Sequence, residues 1–121
     1  MPWFVKTETF NAAFLALDRA ERSAHLSAHR AWVASLRLQA LPIASGFLVD
    51  GDRRPGGGGL LLLQASSHAE ALALIQQDPM ISGGWVTWQL HEWIAAVGDL
   101  AVADLAVADP GGLEDGGDQR G

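Results

Sequence analysis

The sequence contains no cysteine, few basic residues and no long apolar run. Without cysteine there is no disulfide framework, no thiolate nucleophile and no cysteine-based metal site. The formal net charge of -6 and the isoelectric point near 4.9 argue against a nucleic acid or an anionic membrane as the main partner. A membrane span needs roughly 20 consecutive apolar residues, so we expect no span. The first residues lack a basic stretch followed by an apolar one, so we expect no signal peptide and a cytoplasmic location.

The chain contains enough apolar material for one compact domain. Of its 121 residues, 49% are hydrophobic, which supports a modest core. We expect this domain to span residues 1–97, followed by a partly ordered to disordered tail over residues 98–121. Within that tail, Leu100–Asp104 is repeated at once as Leu105–Asp109. The repeat fits either a loose tail or an apolar arm that covers a neighbouring subunit.

Hydrophobic periodicity predicts six elements. Alternating or continuous apolar residues predict four strands, at Trp3–Phe10, Ile43–Val49, Leu60–Gln64 and Trp85–Ile94. Helix-forming stretches predict two helices, from about Asp18 to Ala40 and from about His68 to a point before Pro79. We interpret the glycine run 56–59 as a flexible hairpin tip, because it lies between two strands. The order β-α-β-β-α-β predicts a ferredoxin-like α+β fold, a four-stranded antiparallel sheet with both helices on one face.

Two polar residues in apolar surroundings are the main candidates for chemistry. His29 lies within the first predicted helix, and Asp78 begins the segment Asp78–Gly84. A histidine titrates near neutrality, and a carboxylate can orient it, so the two would form a general acid–base unit if they meet. Each also has a structural interpretation. His29 could be a half-exposed helix residue, and Asp78 a stop signal whose side chain accepts from nearby backbone amides.

Other residues could line the same site. Four residues share one stripe of the first helix at helical spacing, namely His25, His29, Trp32 and Leu36. Gly83 would let the backbone approach a ligand closely, and His91 lies on a mixed polar and aromatic face of the last strand. The spacing of His25 and His29 also matches two zinc ligands. However, the glutamate of a hydrolytic His-Glu-x-x-His motif is replaced by Leu26, so we expect no metal and no cofactor.

Several local patterns recur in the order expected of one family. An arginine precedes a helical histidine, a strand follows, a serine-capped helix leads to Asp-Pro, and a glycine step enters the last strand. The residues that carry these patterns are Arg22, His29, Ile43–Gly46, Ser67, Asp78–Pro79, Ser82–Gly84 and Trp93. Over residues 3–93 the chain resembles the YciI-like (YCII-related) family of small domains. It departs at Ala40, where members usually have glycine, and at Phe47, where they have proline.

The resemblance implies a ferredoxin-like fold that dimerises through its sheets into an α+β barrel, with an active site at His29 and Asp78. The enzymic branch of the family resembles dehydrochlorinases that act on hydroxylated aromatics. We therefore expect a cofactor-free homodimeric enzyme for proton transfer or elimination on a small organic molecule. The residues expected to contact that ligand are His25, Trp32, Ser45, Gly83 and His91. The alternative is a non-catalytic dimeric module that binds a small molecule or a protein.

Overall fold

Four strands form one antiparallel sheet in the computed structural model, which describes residues 1–98. They are β1 (Trp3–Phe10), β2 (Ile43–Val49), β3 (Pro55–Gln64) and β4 (Val86–Trp93), in the spatial order β2-β3-β1-β4. Together with the helices, this antiparallel sheet confirms the predicted ferredoxin-like α+β fold class. The repeat predicted to belong to a tail lies outside the described residues.

The helices begin where the sequence places a capping residue. They are α1 (Ala12–Leu15), α2 (Arg19–Leu38), α3 (His68–Ile75) and α4 (Pro79–Ser82). The side chains of Asp18 and Ser67 accept hydrogen bonds from the third residue of α2 and α3, as expected for N-caps. Within residues 1–98, no helix combines the length and the apolar content needed to cross a membrane.

The end of α2 is closed by a residue in the left-handed region. Ala40 has a φ of 63°, and the Leu41 N–H donates to the Leu36 carbonyl at 3.1 Å, which is a Schellman motif. Glycine is the usual residue at this position because it has no Cβ to strain. The departure from glycine noted in the sequence therefore leaves the helix end unchanged in form.

Side-chain alternation gives the sheet two different faces. Phe4 and Lys6 of β1 point towards the helices and are buried, whereas the intervening Val5 and Thr7 point to the other side. We call the first side the helix face and the second the open face. The strand register extends this division, since Lys6 is paired with a leucine on each neighbouring strand, namely Leu61 on β3 and Leu90 on β4.

The core lies between the helix face and the helices. Its main cluster joins side chains of β1, β2 and β3 to those of α2 and α3, namely Phe4, Leu36, Ile43, Leu61, Leu63, Ala65, Ala71 and Ile75. A second cluster forms around Phe14 of α1, Met80 of α4 and Val86 of β4. The two short helices α1 and α4, which periodicity did not predict, therefore close one end of the core.

The glycine run is part of a strand, so its prediction as a flexible hairpin tip is wrong. Residues 56–59 belong to β3, where Gly58 and Gly59 pair with Thr9 and Glu8 of β1. A Cβ at Gly59 would lie 3.3 Å from Glu8 Cγ, so the missing side chain leaves room for Glu8. The turn itself is formed by residues 50–54, where Asp50 Oδ1 accepts from the Asp52 and Arg54 N–H groups at 2.8 and 2.9 Å.

Candidate active site

His29 and Asp78 lie in direct contact, although 49 residues separate them. His29 Nδ1 is 2.9 Å from Asp78 Oδ1. His29 lies in the middle of α2, and Asp78 is the N-cap of α4, in the short connection after α3. Packing of α2 against the α4 region therefore brings the two polar residues together, as the predicted order of elements allowed.

Asp78 makes both of the contacts that its sequence context allowed, one with His29 and one with a nearby backbone amide. Its Oδ1 also accepts the Met80 N–H at 3.0 Å, which caps α4 and fixes the carboxylate. The side chain is completely buried. Its other oxygen, Oδ2, has no hydrogen-bond partner among the described residues. Burying an unpaired carboxylate oxygen is costly, so a nearby positive charge is needed.

Lys6 supplies that charge. Its Nζ lies 3.8 Å from Asp78 Oδ2 and forms a closer ion pair with Glu8. The Lys6 side chain is only 2% exposed, so this ammonium is buried between two carboxylates. Lys6 and Glu8 were not among the site residues expected from the sequence. Alternation alone puts Lys6 on the same strand face as Phe4, and only the burial of that face in the structure shows that this lysine needs charged partners.

Ser45 lies on the other side of the His29 ring. Its Oγ is 2.9 Å from His29 Nε2. Because the carboxylate of Asp78 can only accept, Nδ1 of His29 carries the proton and Nε2 presents a lone pair to the serine hydroxyl. The imidazole is thus held at both nitrogens, and its basic nitrogen faces away from Asp78.

Solvent exposure increases from Asp78 to His29 to Ser45. Asp78 is fully buried, the His29 side chain is 13% exposed, and Ser45 is exposed on β2. β2 is an edge strand of the sheet, so a small molecule can reach Ser45 and the nearby Nε2 without entering the core. The ionic groups that support the histidine lie behind it, away from solvent.

Trp32 and His25 flank His29 on α2, as the predicted helix stripe requires. The Trp32 ring centroid is 5.9 Å from that of His29, and its indole Nε1 is buried without a partner in the described part of the chain. His25 packs on Trp85 instead, with ring centroids 4.8 Å apart. Trp32 therefore borders the site, whereas His25, one turn away, packs against side chains of the second core cluster.

Gly83 and His91 are not brought to the His29 imidazole. Gly83 caps the end of α4, and a Cβ there would lie 2.5 Å from the Trp85 indole nitrogen. The close approach that the glycine allows is therefore to Trp85. His91 is paired with Val5 and points to the open face, on the opposite side of the sheet from His29. A shallow depression along β1 and β4 is lined by Thr7, Glu8, Thr9, Thr87, Trp88 and Gln89.

A metal site would need a third ligand near the two helical histidines. Within residues 1–98, no group of three or more His, Cys, Asp or Glu side chains is arranged to hold a metal ion. The two nitrogens of His29 are also already engaged by Asp78 and Ser45. The described geometry therefore provides a hydrogen-bonded chain and no cluster of ligands.

Comparison with known proteins gives a similarity among solved structures. No family model and no curated protein matches the chain. Among solved structures it is similar to 5-chloro-2-hydroxyhydroquinone dehydrochlorinase from Burkholderia phenoliruptrix AC1100, determined in complex with 2,5-dihydroxybenzoquinone. The TM-score is 0.59 at 18% sequence identity, over 78% of this chain and 95% of that chain. This likeness shows the fold. It agrees with the fold implied by the resemblance to YciI-like domains.

Proposed function

We propose that this protein is a small enzyme that transfers a proton to or from a small organic molecule, with His29 as the acid–base residue. The observation that supports the proposal is the contact between His29 Nδ1 and the buried Asp78 carboxylate. A histidine oriented in this way has its basic Nε2 on the accessible side, where it is bonded to the exposed Ser45 hydroxyl and a substrate would take the place of that hydroxyl. Neither a metal nor an organic cofactor is required for such a step.

Asp78 has two tasks in this proposal. It selects the tautomer of His29 that leaves Nε2 unprotonated, and it stabilises the imidazolium that forms when Nε2 takes a proton. The Met80 N–H holds the carboxylate in place. The buried ammonium of Lys6 balances its charge while the imidazole is neutral, and Glu8 takes part of that positive charge. The ionic cluster is therefore prepared before a substrate arrives.

The reaction type comes from the similar solved structure. That protein is named for removing chlorine from a hydroxylated aromatic ring and binds a dihydroxybenzoquinone. Elimination of HCl from such a ring requires removal of a proton, which a base such as His29 supplies. We therefore assign to this chain an elimination or proton transfer on a small cyclic molecule that carries acidic hydroxyl groups.

The test uses 5-chloro-2-hydroxyhydroquinone as the probe and measures the release of chloride. We expect His29→Ala and Asp78→Asn each to lower the rate by about 10²–10⁴-fold, the usual contribution of a positioned acid–base residue. His91→Ala is the matched control, because this histidine points to the open face. It should retain the parent rate.

Two results would contradict the proposal. One is turnover that survives both His29→Ala and Asp78→Asn. The other is stoichiometric binding of 2,5-dihydroxybenzoquinone, abolished by His29→Ala, with no turnover of any hydroxylated or chlorinated ring tested. The second result would favour the non-catalytic binding module, since the same polar groups would then serve only recognition.

A homodimer is a further part of this proposal. The open face carries partly exposed apolar side chains, including Trp3, Val5 and Leu60, and no helix of residues 1–98 covers it. A second copy placed against this face would bury them, which is favourable in proportion to the apolar area removed from water. Sedimentation should give a dimer that Val5→Asp converts to a monomer. A parent protein that remains monomeric at all accessible concentrations would contradict the proposed dimer.

We retain the cytoplasm as the expected location.

A further inference from the structure

Ser45, His29 and Asp78 form an unbroken chain of two hydrogen bonds. Ser45 Oγ is 2.9 Å from His29 Nε2, and His29 Nδ1 is 2.9 Å from Asp78 Oδ1. This order of atoms is the one that activates a serine in hydrolases of unrelated folds, where it is identified by geometry and by the role of each residue. Proton transfer from a bound substrate to His29 needs no serine, so the proposed function leaves Ser45 unexplained.

The geometry points to a second activity of this site, in which Ser45 is the nucleophile for acyl transfer from small activated esters. The exposure of the three residues fits this role. The hydroxyl that must meet the substrate is on an exposed residue, the base behind it is mostly covered, and the carboxylate is fully buried. A serine that served only to hold the histidine would not need to be more exposed than the histidine and the aspartate.

The strand register adds a donor for the developing negative charge. The Gln64 N–H donates to the Pro42 carbonyl at 3.1 Å. In an antiparallel pair, every second residue of a strand is hydrogen-bonded to the partner strand. The next residues of β2 that are bonded to β3 are therefore Ala44 and Gly46. The backbone N–H of the intervening Ser45 is therefore directed to the free edge of β2. The N–H of the nucleophile itself is a common donor to the oxyanion of an acyl intermediate.

The reaction balances without any group that the chain lacks. Ser45 Oγ attacks the acyl carbon while its proton passes to His29 Nε2, and the bond to the leaving alcohol or phenol breaks as Nε2 gives that proton to the leaving oxygen. Water then attacks the acyl-serine and gives a proton to Nε2, and Ser45 recovers that proton as the carboxylic acid departs. No oxidant, reductant or metal takes part. With one backbone donor rather than two, we expect a slow esterase.

The test uses two probes on the parent protein, namely 4-nitrophenyl acetate for turnover and an alkyl fluorophosphonate for labelling. Peptide mapping should place the phosphonate on Ser45. His29→Ala should slow labelling and ester hydrolysis by about 10²-fold or more, as loss of a general base does. Ser66 is the matched internal control, since its exposed hydroxyl is bonded to the Glu70 carboxylate instead of an imidazole. It should remain unlabelled.

The inference shares His29 and Asp78 with the proposed function, but the two can fail separately. Ser45→Ala should abolish labelling at this position and reduce ester hydrolysis to the level of His29→Ala. Parent protein that releases chloride from 5-chloro-2-hydroxyhydroquinone in a His29-dependent manner but leaves Ser45 unlabelled would overturn the inference and leave the proposed function standing. Labelling of Ser45 that is no faster than that of Ser66, or that persists in His29→Ala, would overturn the inference. Both readouts use the parent protein and His29→Ala, so they do not depend on the folding of the serine variant.

Discussion

The helix face and the open face of the sheet are made by the same four strands, yet they hold opposite kinds of residue. On β1, the helix face combines the buried Phe4 with the buried ion pair of Lys6 and Glu8, whereas the open face has Val5 and Thr7. The charged side chains thus lie on the covered side, where a low local dielectric strengthens the electrostatic interactions between them. Threonine hydroxyls and half-buried aliphatic groups occupy the side without helices.

The helix face itself buries two kinds of group, namely apolar side chains that form the core and charged side chains near His29. Away from the site, the helix face packs leucine and phenylalanine against α2 and α3. Near its centre, the same face carries Lys6 and Glu8, and the Lys6 ammonium lies near the Asp78 carboxylate that contacts His29. Buried ions are expensive to maintain and add little net stability. The proposed function gives these ions a role, because Asp78 orients the imidazole and Lys6 balances the charge of Asp78.

Lys6 should produce the largest effect on stability. Lys6→Met leaves the buried Asp78 carboxylate without its nearby ammonium, and breaking a buried ion pair from one side costs about 3–5 kcal/mol. Urea unfolding measures this loss. Thr7→Met, one residue along and on the open face, is the control and should change stability by less than about 0.5 kcal/mol. Equal effects of the two substitutions would remove the distinction between the faces.

A pair of adjacent leucines tests apolar packing in the same way. Leu61 is fully buried on the helix face, and Leu60 is partly exposed on the open face. Leu61→Ala should lower the free energy of unfolding by about 2–5 kcal/mol through lost contacts and a cavity, and Leu60→Ala by clearly less. If the loss at Leu60 increases with protein concentration, a second copy covers the open face and the comparison changes accordingly.

A smaller difference in stability is expected between alanine substitutions at two glycines. A Cβ at Gly59 would lie 3.3 Å from both Glu8 Cγ and the Gly46 carbonyl oxygen, whereas a Cβ at Gly46 would meet nothing within 4 Å. Gly59→Ala should therefore cost about 1–3 kcal/mol by crowding Glu8. Gly46→Ala should be neutral or stabilise by up to about 1 kcal/mol, because alanine has less conformational freedom to lose. Thermal unfolding of both variants measures these changes in stability. Stabilisation by Gly59→Ala would show that the Glu8 side chain is loosely held.

The smallest effect is expected at a hydroxyl pair on the open face. Thr9 Oγ1 and Thr87 Oγ1 are 2.8 Å apart across β1 and β4 and are exposed. Thr87→Val keeps the β-branched shape and removes one hydroxyl, so the loss should be no more than about 1 kcal/mol. Differential scanning calorimetry can measure this change. A larger loss would mean that the hydroxyl pair is shielded from water by something beyond residues 1–98.

The sequence predicted most of the framework because its signals are local. The bounds of β1 and β2 follow from alternation, and the N-caps Asp18 and Ser67 mark the starts of α2 and α3. The glycine run was misassigned because glycine disfavours strands in general. Here a partner strand on each side and the space needed by Glu8 outweigh that preference.

The site was only partly predictable for a different reason. The contact of His29 with Asp78 depends on how α2 packs, but each residue stands out in its own segment. Lys6 does not, since a lysine in an alternating strand normally indicates a solvent-facing position. Its role depends on two carboxylates, and one of them, Asp78, is 72 residues away in sequence. The role of Ser45 depends on strand register, which periodicity alone does not define.

The burial of Lys6 also has a practical consequence for handling the protein. Lys6 is the only lysine in the sequence, and its side chain is almost completely covered. Amine-reactive dyes and cross-linkers therefore meet no accessible lysine in the native fold. Their reaction at this position requires the sheet to open near β1, so its rate reports the local opening of the core. Reaction at Lys6, separated by peptide mapping from reaction at the N-terminal amine, thus becomes a sensor of the stability of the structure around the ion cluster.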